Sequence, residues 1–419
     1  MKFIFLIEYC IYLIYSIDAR MLKESRAFQT GHGTIMTLFF IVSFINIFLF
    51  VVLPAFIRHK NAKITLFYLS LILILLLFCC SLFRDRTDLK EAQAQLLFIA
   101  TIILDFIAID AFNCFSEFLL VSELTPALYM AWSLFKNQIS VSSVFKNINV
   151  SVLFATQYSL RIRNRFGFYN ENAAGILATN MICLSLLVMS ICRSKKENRI
   201  WSKLVFPISI ICGLLWTLIF FGSASRTAML SLCFFILGYM WCKIDQIKGF
   251  VKVQLKVIKI IVLITMAIIV FYMANGGLYT DYLNSGRYRS FNNLSLLNTI
   301  QQKLFGLGVI TPYDIRFLMI GDGHGDILDN YYIYIVVSFG IIGFVIFLAM
   351  FIVDGMSLYR YSANSDLLTI VFCWYAMSLL YGIGETCILY YLFPTSLISF
   401  SIFFYCIHKR GKVDIMPSY

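Results

Sequence analysis

The chain has 419 residues, of which 60% are hydrophobic and only 13% charged, with a mean hydropathy of +0.84. A soluble protein of this length has no use for so much apolar surface, so the composition excludes a soluble globular fold and makes the bilayer the solvent. The net charge of +12 would point to nucleic acid in a soluble protein; here the basic residues cluster in short loops beside apolar runs, where the positive-inside rule needs them, and no nucleic-acid partner is expected.

At about twenty apolar residues per crossing, the pattern predicts an all-α, polytopic integral membrane bundle. The opening run at 3–17 lacks a clean cleavage site and more membrane sequence follows it, so it reads as a retained helix. Clear spans come next at 34–57, 64–83, 95–112, 117–135, 173–192, 204–221, 227–242, 257–274, 331–353, 367–381 and 387–407. With 3–17 and a short stretch at 149–160 the total is about 11–13 spans. No repeat or linker divides them, so residues 1–419 read as one domain. The twelve cysteines include no CxxC pair and nearly all lie inside apolar runs, as small hydrophobic residues do.

Charge sets the orientation. The loop "RSKKENR" at 193–199 carries four basic residues against one acid, residues 243–256 carry four lysines against Asp245, and the tail "HKRGK" is basic. Placing all three in the cytoplasm puts 275–330 outside as one large extracytoplasmic loop, together with "GSASR" and "RIRNRFGFYNEN". The basic stretch "RHKNAK" at 58–63 belongs inside as well, which requires 149–160 not to be a full crossing. Charge alone leaves the first third open.

Three polar motifs each open a helix at the outer face: "RFGFYNENAAG" (165–175), "GSASRTA" (222–228) and "GDGHGDILDN" (321–330). Each offers cap-like residues: Asn170 or Asn172, Ser223 or Ser225, and Asp326 with Asp329 three positions on. Free N–H groups and positive dipole ends then favour an anionic ligand, and Arg165 and Arg226 add fork-shaped cations suited to phosphate. If these helix starts converge, they form a pyrophosphate cradle. Arg226 taken alone fits a snorkelling anchor equally well, whereas Arg161, Arg163 and Arg165 together on the outer side run against the orientation rule and favour a ligand. His324, between two glycines in the large loop, is one of four histidines in the chain.

The acids inside apolar sequence are Glu8, Asp105, Asp110, Glu117, Glu123 and Glu385. Asp105, Asp110, Glu117 and Glu123 suit a proton path, although Asp110 and Glu117 fit better as the flanks of a hairpin at Asn113. There is no GxxxxGK[ST], HExxH, HxxxH or DxD, so neither ATP hydrolysis nor a metal site is expected.

The order "RFGFYNENAAG", "SASRTAML", then a long outer loop closing on "HGDILDNYY" before "SFGIIGFVIFL" resembles the O-antigen/capsule polymerase (Wzy) and O-antigen ligase superfamily. Its motifs cover 161–348. Glu171 stands where the family often has proline, and the family's arginine–x10–glycine pairs are off by one residue at Arg165–Gly175 and Arg226–Gly238. The resemblance implies a GT-C-like, metal- and cofactor-independent glycosyltransferase on the outer face of a bacterial cytoplasmic membrane. Its donor and acceptor would be glycans on undecaprenyl pyrophosphate, with a flippase and a chain-length regulator as partners. His324 would be the essential loop histidine, assisted by Asp329, and Arg226 and Arg165 the pyrophosphate-binding arginines. Arg161, Arg163, Asn172, Ser225, Asp326, Asn330 and Tyr331 complete the expected substrate contacts. A ligase of the same superfamily is the nearest alternative, and a flippase or ion-coupled transporter the more distant one.

Overall fold

The structure, a computed structural model, describes residues 2–21, 45, 66–84, 87–136, 166, 168, 171–194, 199–246, 257, 260, 261, 264, 290–310, 328, 330–363, 365–390 and 393–409. The described part is all-helical, without a strand. Its helices are α1 (Lys2–Met21), α2 (Leu66–Ser81), α3 (Leu89–Ala111), α4 (Phe115–Lys136), α5 (Glu171–Ser194), α6 (Arg199–Ser223), α7 (Arg226–Gln246), α8 (Ile300–Phe305), α9 (Tyr331–Ser362), α10 (Asp366–Gly384) and α11 (Pro394–His408). A 3-10 turn at Ser290–Leu296 precedes α8.

Seven of these, α3 to α7 with α9 and α10, are long and apolar enough to cross a membrane. This is a multi-pass membrane protein. Helices suit that setting because each satisfies its own backbone hydrogen bonds where lipid offers none. The expected spans at 34–57, 149–160 and 257–274 lie outside the described residues, apart from single helical positions such as Ile45 and Ile260.

Hydrogen bonds show which helix ends share a face. α3 turns into α4 through Asn113, whose φ of 47° makes the left-handed corner of the hairpin expected there. At that corner Asp110 meets His408 Nε2 at 3.0 Å and Lys409 Nζ at 2.5 Å, and Glu117 meets Lys2 Nζ at 2.5 Å. The Tyr68 hydroxyl reaches His408 Nδ1. The starts of α1, α2 and α4 therefore lie with the ends of α3 and α11, on the face of the basic tail. Asn172 of α5 meets Glu385 just past the end of α10, and Gln95 of α3 meets Leu389 a few residues on, so the starts of α5 and α3 share the face opposite the basic tail. α4, which leaves α3 at the basic face, therefore ends on the face where α5 begins, beside α6, whose Ser209 Oγ donates to Glu123 Oε2 at 2.8 Å. Cys114, buried in the same corner, has its thiol pushed up to about 12 by that burial, as befits a packing residue.

α9 departs from the straight span expected at 331–353. Gly340, at φ 70° and ψ −171°, breaks it. Tyr375 of α10 donates its hydroxyl to Phe351 O at 3.0 Å, while Leu379 O, one turn along, accepts from the Tyr332 hydroxyl at 2.7 Å. A straight helix would hold Phe351 and Tyr332 roughly 28 Å apart. Residues 331–339 instead fold back across the end of α10 and the start of α3. The carbonyls freed at the break find new donors: Leu307 N reaches Val337 O at 2.8 Å and Gly308 N reaches Ser338 O at 3.0 Å.

Candidate functional site

Two of the three predicted helix starts touch directly. A Cβ on Gly175 would sit 2.6 Å from Ser225 Cβ and 3.0 Å from Ala228 Cβ, so only glycine lets α5 and α7 come this close. Ala224, at φ 47°, makes the tight corner between α6 and α7. Ser225, fully buried, donates its hydroxyl to Asn172 Oδ1 at 3.1 Å and accepts from Ala228 N at 3.4 Å, capping α7. Asn172 does not cap α5, which begins one residue earlier at Glu171. Its amide faces inward instead, and Nδ2 donates to Glu385 Oε1 at 2.8 Å.

The third start reaches the same place through the end of α10. Asn330 caps α9, accepting from Tyr332 N at 3.0 Å and Ile333 N at 3.2 Å, and its Nδ2 donates to Ile383 O at 3.0 Å. The caps expected from Asp326 and Asp329 are thereby corrected: the helix starts at Tyr331, so Asp329 precedes it and the adjacent asparagine does the capping. Next to Ile383, Thr386 donates to Leu328 O.

Between α10 and α11 the chain leaves helix. α11 has only 15 residues, about 22 Å against a hydrocarbon core of about 30 Å. Irregular backbone survives within such a core only when buried in protein or lining a cavity. Here Glu385, Thr386, Cys387, Ile388, Leu389 and Tyr390 are all buried. Two side chains of α3 satisfy the far end of this crossover: Gln95 donates to Leu389 O, and Glu91 accepts from the Tyr390 hydroxyl.

Of the expected site residues, the structure brings Asn172, Ser225 and Asn330 together around the end of α10. Tyr331, at 1% exposure, packs on Tyr334 and Phe347. Arg226 opens α7, while its side chain, with all of Arg161, Arg163, Arg165, His324, Asp326 and Asp329, lies outside the described residues. Glu385 is the member that sequence counted among the intramembrane acids without placing. Glu91 was missed altogether, because "RTDLKEAQAQ" reads as loop; the signal was Glu91 and Gln95 one turn apart, on one face of a helix.

The four acids of the proton-path reading each have a nearby partner. Asp110 and Glu117 are ion-paired at the hairpin, Asp105 accepts from Ser401 at 3.4 Å, and Glu123 accepts from Ser209. Among the described residues no three His, Cys, Asp or Glu side chains gather to hold a metal. What the site presents is three helix N-termini, buried amide and hydroxyl groups, and one carboxylate, all on the face opposite the basic tail. No family model matches the chain, and comparison with curated proteins finds no match.

Proposed function

We propose that this protein is a polymerase that joins oligosaccharide repeats carried on undecaprenyl pyrophosphate into a longer glycan, on the outer face of a bacterial cytoplasmic membrane. The observation that carries the reading is the meeting of three separate motifs: Asn172 bonds Ser225 at 3.1 Å, and Asn330 holds Ile383, two residues from the Glu385 that Asn172 also holds. Helix starts gathered at one outer site suit an anionic leaving group. The chemistry needs little more. The acceptor hydroxyl oxygen attacks the donor's anomeric carbon, the bond from that carbon to the pyrophosphate oxygen breaks, and the hydroxyl proton passes to a base.

In this proposal His324 takes the proton, with Asp329 orienting its ring, and Arg226 with Arg165 stabilises the departing pyrophosphate. Purified protein given synthetic undecaprenyl-pyrophosphate oligosaccharide, without nucleotide or added metal, should produce a ladder of longer glycans. Arg226→Ala should lose roughly a hundred- to thousand-fold in rate, the scale of about 2–4 kcal/mol for one transition-state contact, and Arg226→Lys should recover only part. His324→Ala should stop extension yet still bind donor. The absence of a ladder from the wild type would refute the polymerase reading, and a ladder from His324→Ala at near-normal rate would remove that residue as the base.

A further inference from the structure

Glu385 is delivered into the site by backbone that is held on both sides. Its N–H donates to Tyr381 O at 3.0 Å, its carbonyl accepts from Cys387 N at 2.9 Å, and Thr386 is tied to Leu328 O. The residue is 4% exposed, in the buried non-helical segment between α10 and α11. Its carboxylate is the first group in a one-way chain of hydrogen bonds. The Glu385 oxygen Oε1 accepts here, so it takes the Nδ2 end of the Asn172 amide, at 2.8 Å. That choice leaves Asn172 Oδ1 facing Ser225, whose single hydroxyl proton goes to it at 3.1 Å. With that proton committed, the Ser225 lone pairs are free to accept from Ala228 N in the first turn of α7.

We propose that Glu385 is the positioning residue of the site: by fixing the orientation of the Asn172 amide it sets the Ser225 cap and locks the starts of α5 and α7 together. The proposal rests on the polymerase reading for its link to catalysis. Remove the carboxylate and the amide is free to turn over, offering Nδ2 to Ser225 and reversing the chain. The carboxylate acts through the direction of its hydrogen bond, so the same direction of bonding at Ser225 can be rebuilt with different groups.

The test exchanges the roles of the two residues. Asn172→Asp alone places two acceptors face to face and should lower kcat for glycan extension at least about thirtyfold, with KM changed by less than about threefold. Adding Glu385→Gln restores a donor opposite the new carboxylate, which still accepts from Ser225; the double variant should return to within about fivefold of wild type. Glu385→Gln alone offers the Asn172 amide a donor as well as an acceptor, so the amide is no longer held one way and kcat should fall about tenfold, with KM changed by less than about threefold. Melting temperature in detergent gives a readout independent of activity: it should fall in Asn172→Asp and recover in the double variant. A double variant as impaired as Asn172→Asp in both kcat and melting overturns the positioning role. Recovery of melting without recovery of kcat would instead make the Glu385 carboxylate a reacting group. If the wild type extends no glycan, the polymerase reading falls, and the melting cycle still decides the hydrogen-bond chain.

Discussion

Gly175 shows how much of the site depends on the absence of one methyl group. Its α-carbon lies against Ser225, with Ala228 and the Ser223 hydroxyl at 3.0 Å from where a Cβ would stand. Gly175→Ala would place that carbon 2.6 Å from Ser225 Cβ, and a buried clash of this kind typically costs about 1–3 kcal/mol. The variant should melt several degrees lower and extend glycan slowly, because the cap on α7 is displaced. Wild-type melting and activity would mean that α5 and α7 can slide apart freely. At this scale the sequence was partly readable. Asn172 and Ser225 stood out because small polar residues beside an apolar run mark a helix start, whereas Asn330 came only with the resemblance. Glu385 stood out as an acid within apolar sequence, but its partner Asn172 is 213 positions away, and no local pattern carries that pairing. Tyr331 came only with the resemblance, and the fold-back of α9 buries its ring.

The decisive element is α9. Its sequence "SFGIIGF" reads as continuous span, since glycine is tolerated in membrane helices, and nothing local separates a break at Gly340 from a simple glycine at Gly343. The break comes from a partner distant in sequence. Gly340 lies against the Leu304 carbonyl and Gly306 against the Ser338 carbonyl, each so close that a Cβ would come within 2.3 Å of main-chain atoms. Both residues also have positive φ, 70° and 75°, a conformation that costs a side-chain-bearing residue about 1–2 kcal/mol before any clash. Gly340→Ala and Gly306→Ala should therefore each destabilise the protein by more than about 2 kcal/mol, read as a fall in melting temperature. Gly355→Ala, where a Cβ would find Tyr375 at 3.4 Å, should be nearly neutral and serves as the control. Equal melting for all three would mean that the 306–309 segment does not seat in the break. The short α11 was likewise unreadable from hydropathy, because 387–393 is as apolar as the helix that follows it.

For the whole molecule, the paired helix ends turn charge into a topology. The face that carries the starts of α1, α2 and α4 also carries the short α5–α6 connection around "RSKKENR", the end of α7 with Lys243 bound to Asp366, and the tail after His408. The basic ends of α5 and α7 and the tail after His408 therefore fall on one side, together with Lys2. The positive-inside rule assigns that side to the cytoplasm. The Asn172, Ser225 and Asn330 helix starts then face the exterior, along with the turn that joins α2 to α3. This yields a test that charge alone could not frame, because it rests on the starts of α3 and α5 lying on one face. Reporter fusions after Leu82 and after Asn292 should both register the exterior, and fusions after Lys196 and at the amino terminus the cytoplasm. Cysteines introduced at the same positions should show the matching reactivity to a membrane-impermeant maleimide applied to intact cells. A cytoplasmic signal after Asn292 would place the site on the wrong side for a lipid-linked donor at the outer face. An exterior amino terminus would instead break the pairing of α1 with α4 and require a different bundle.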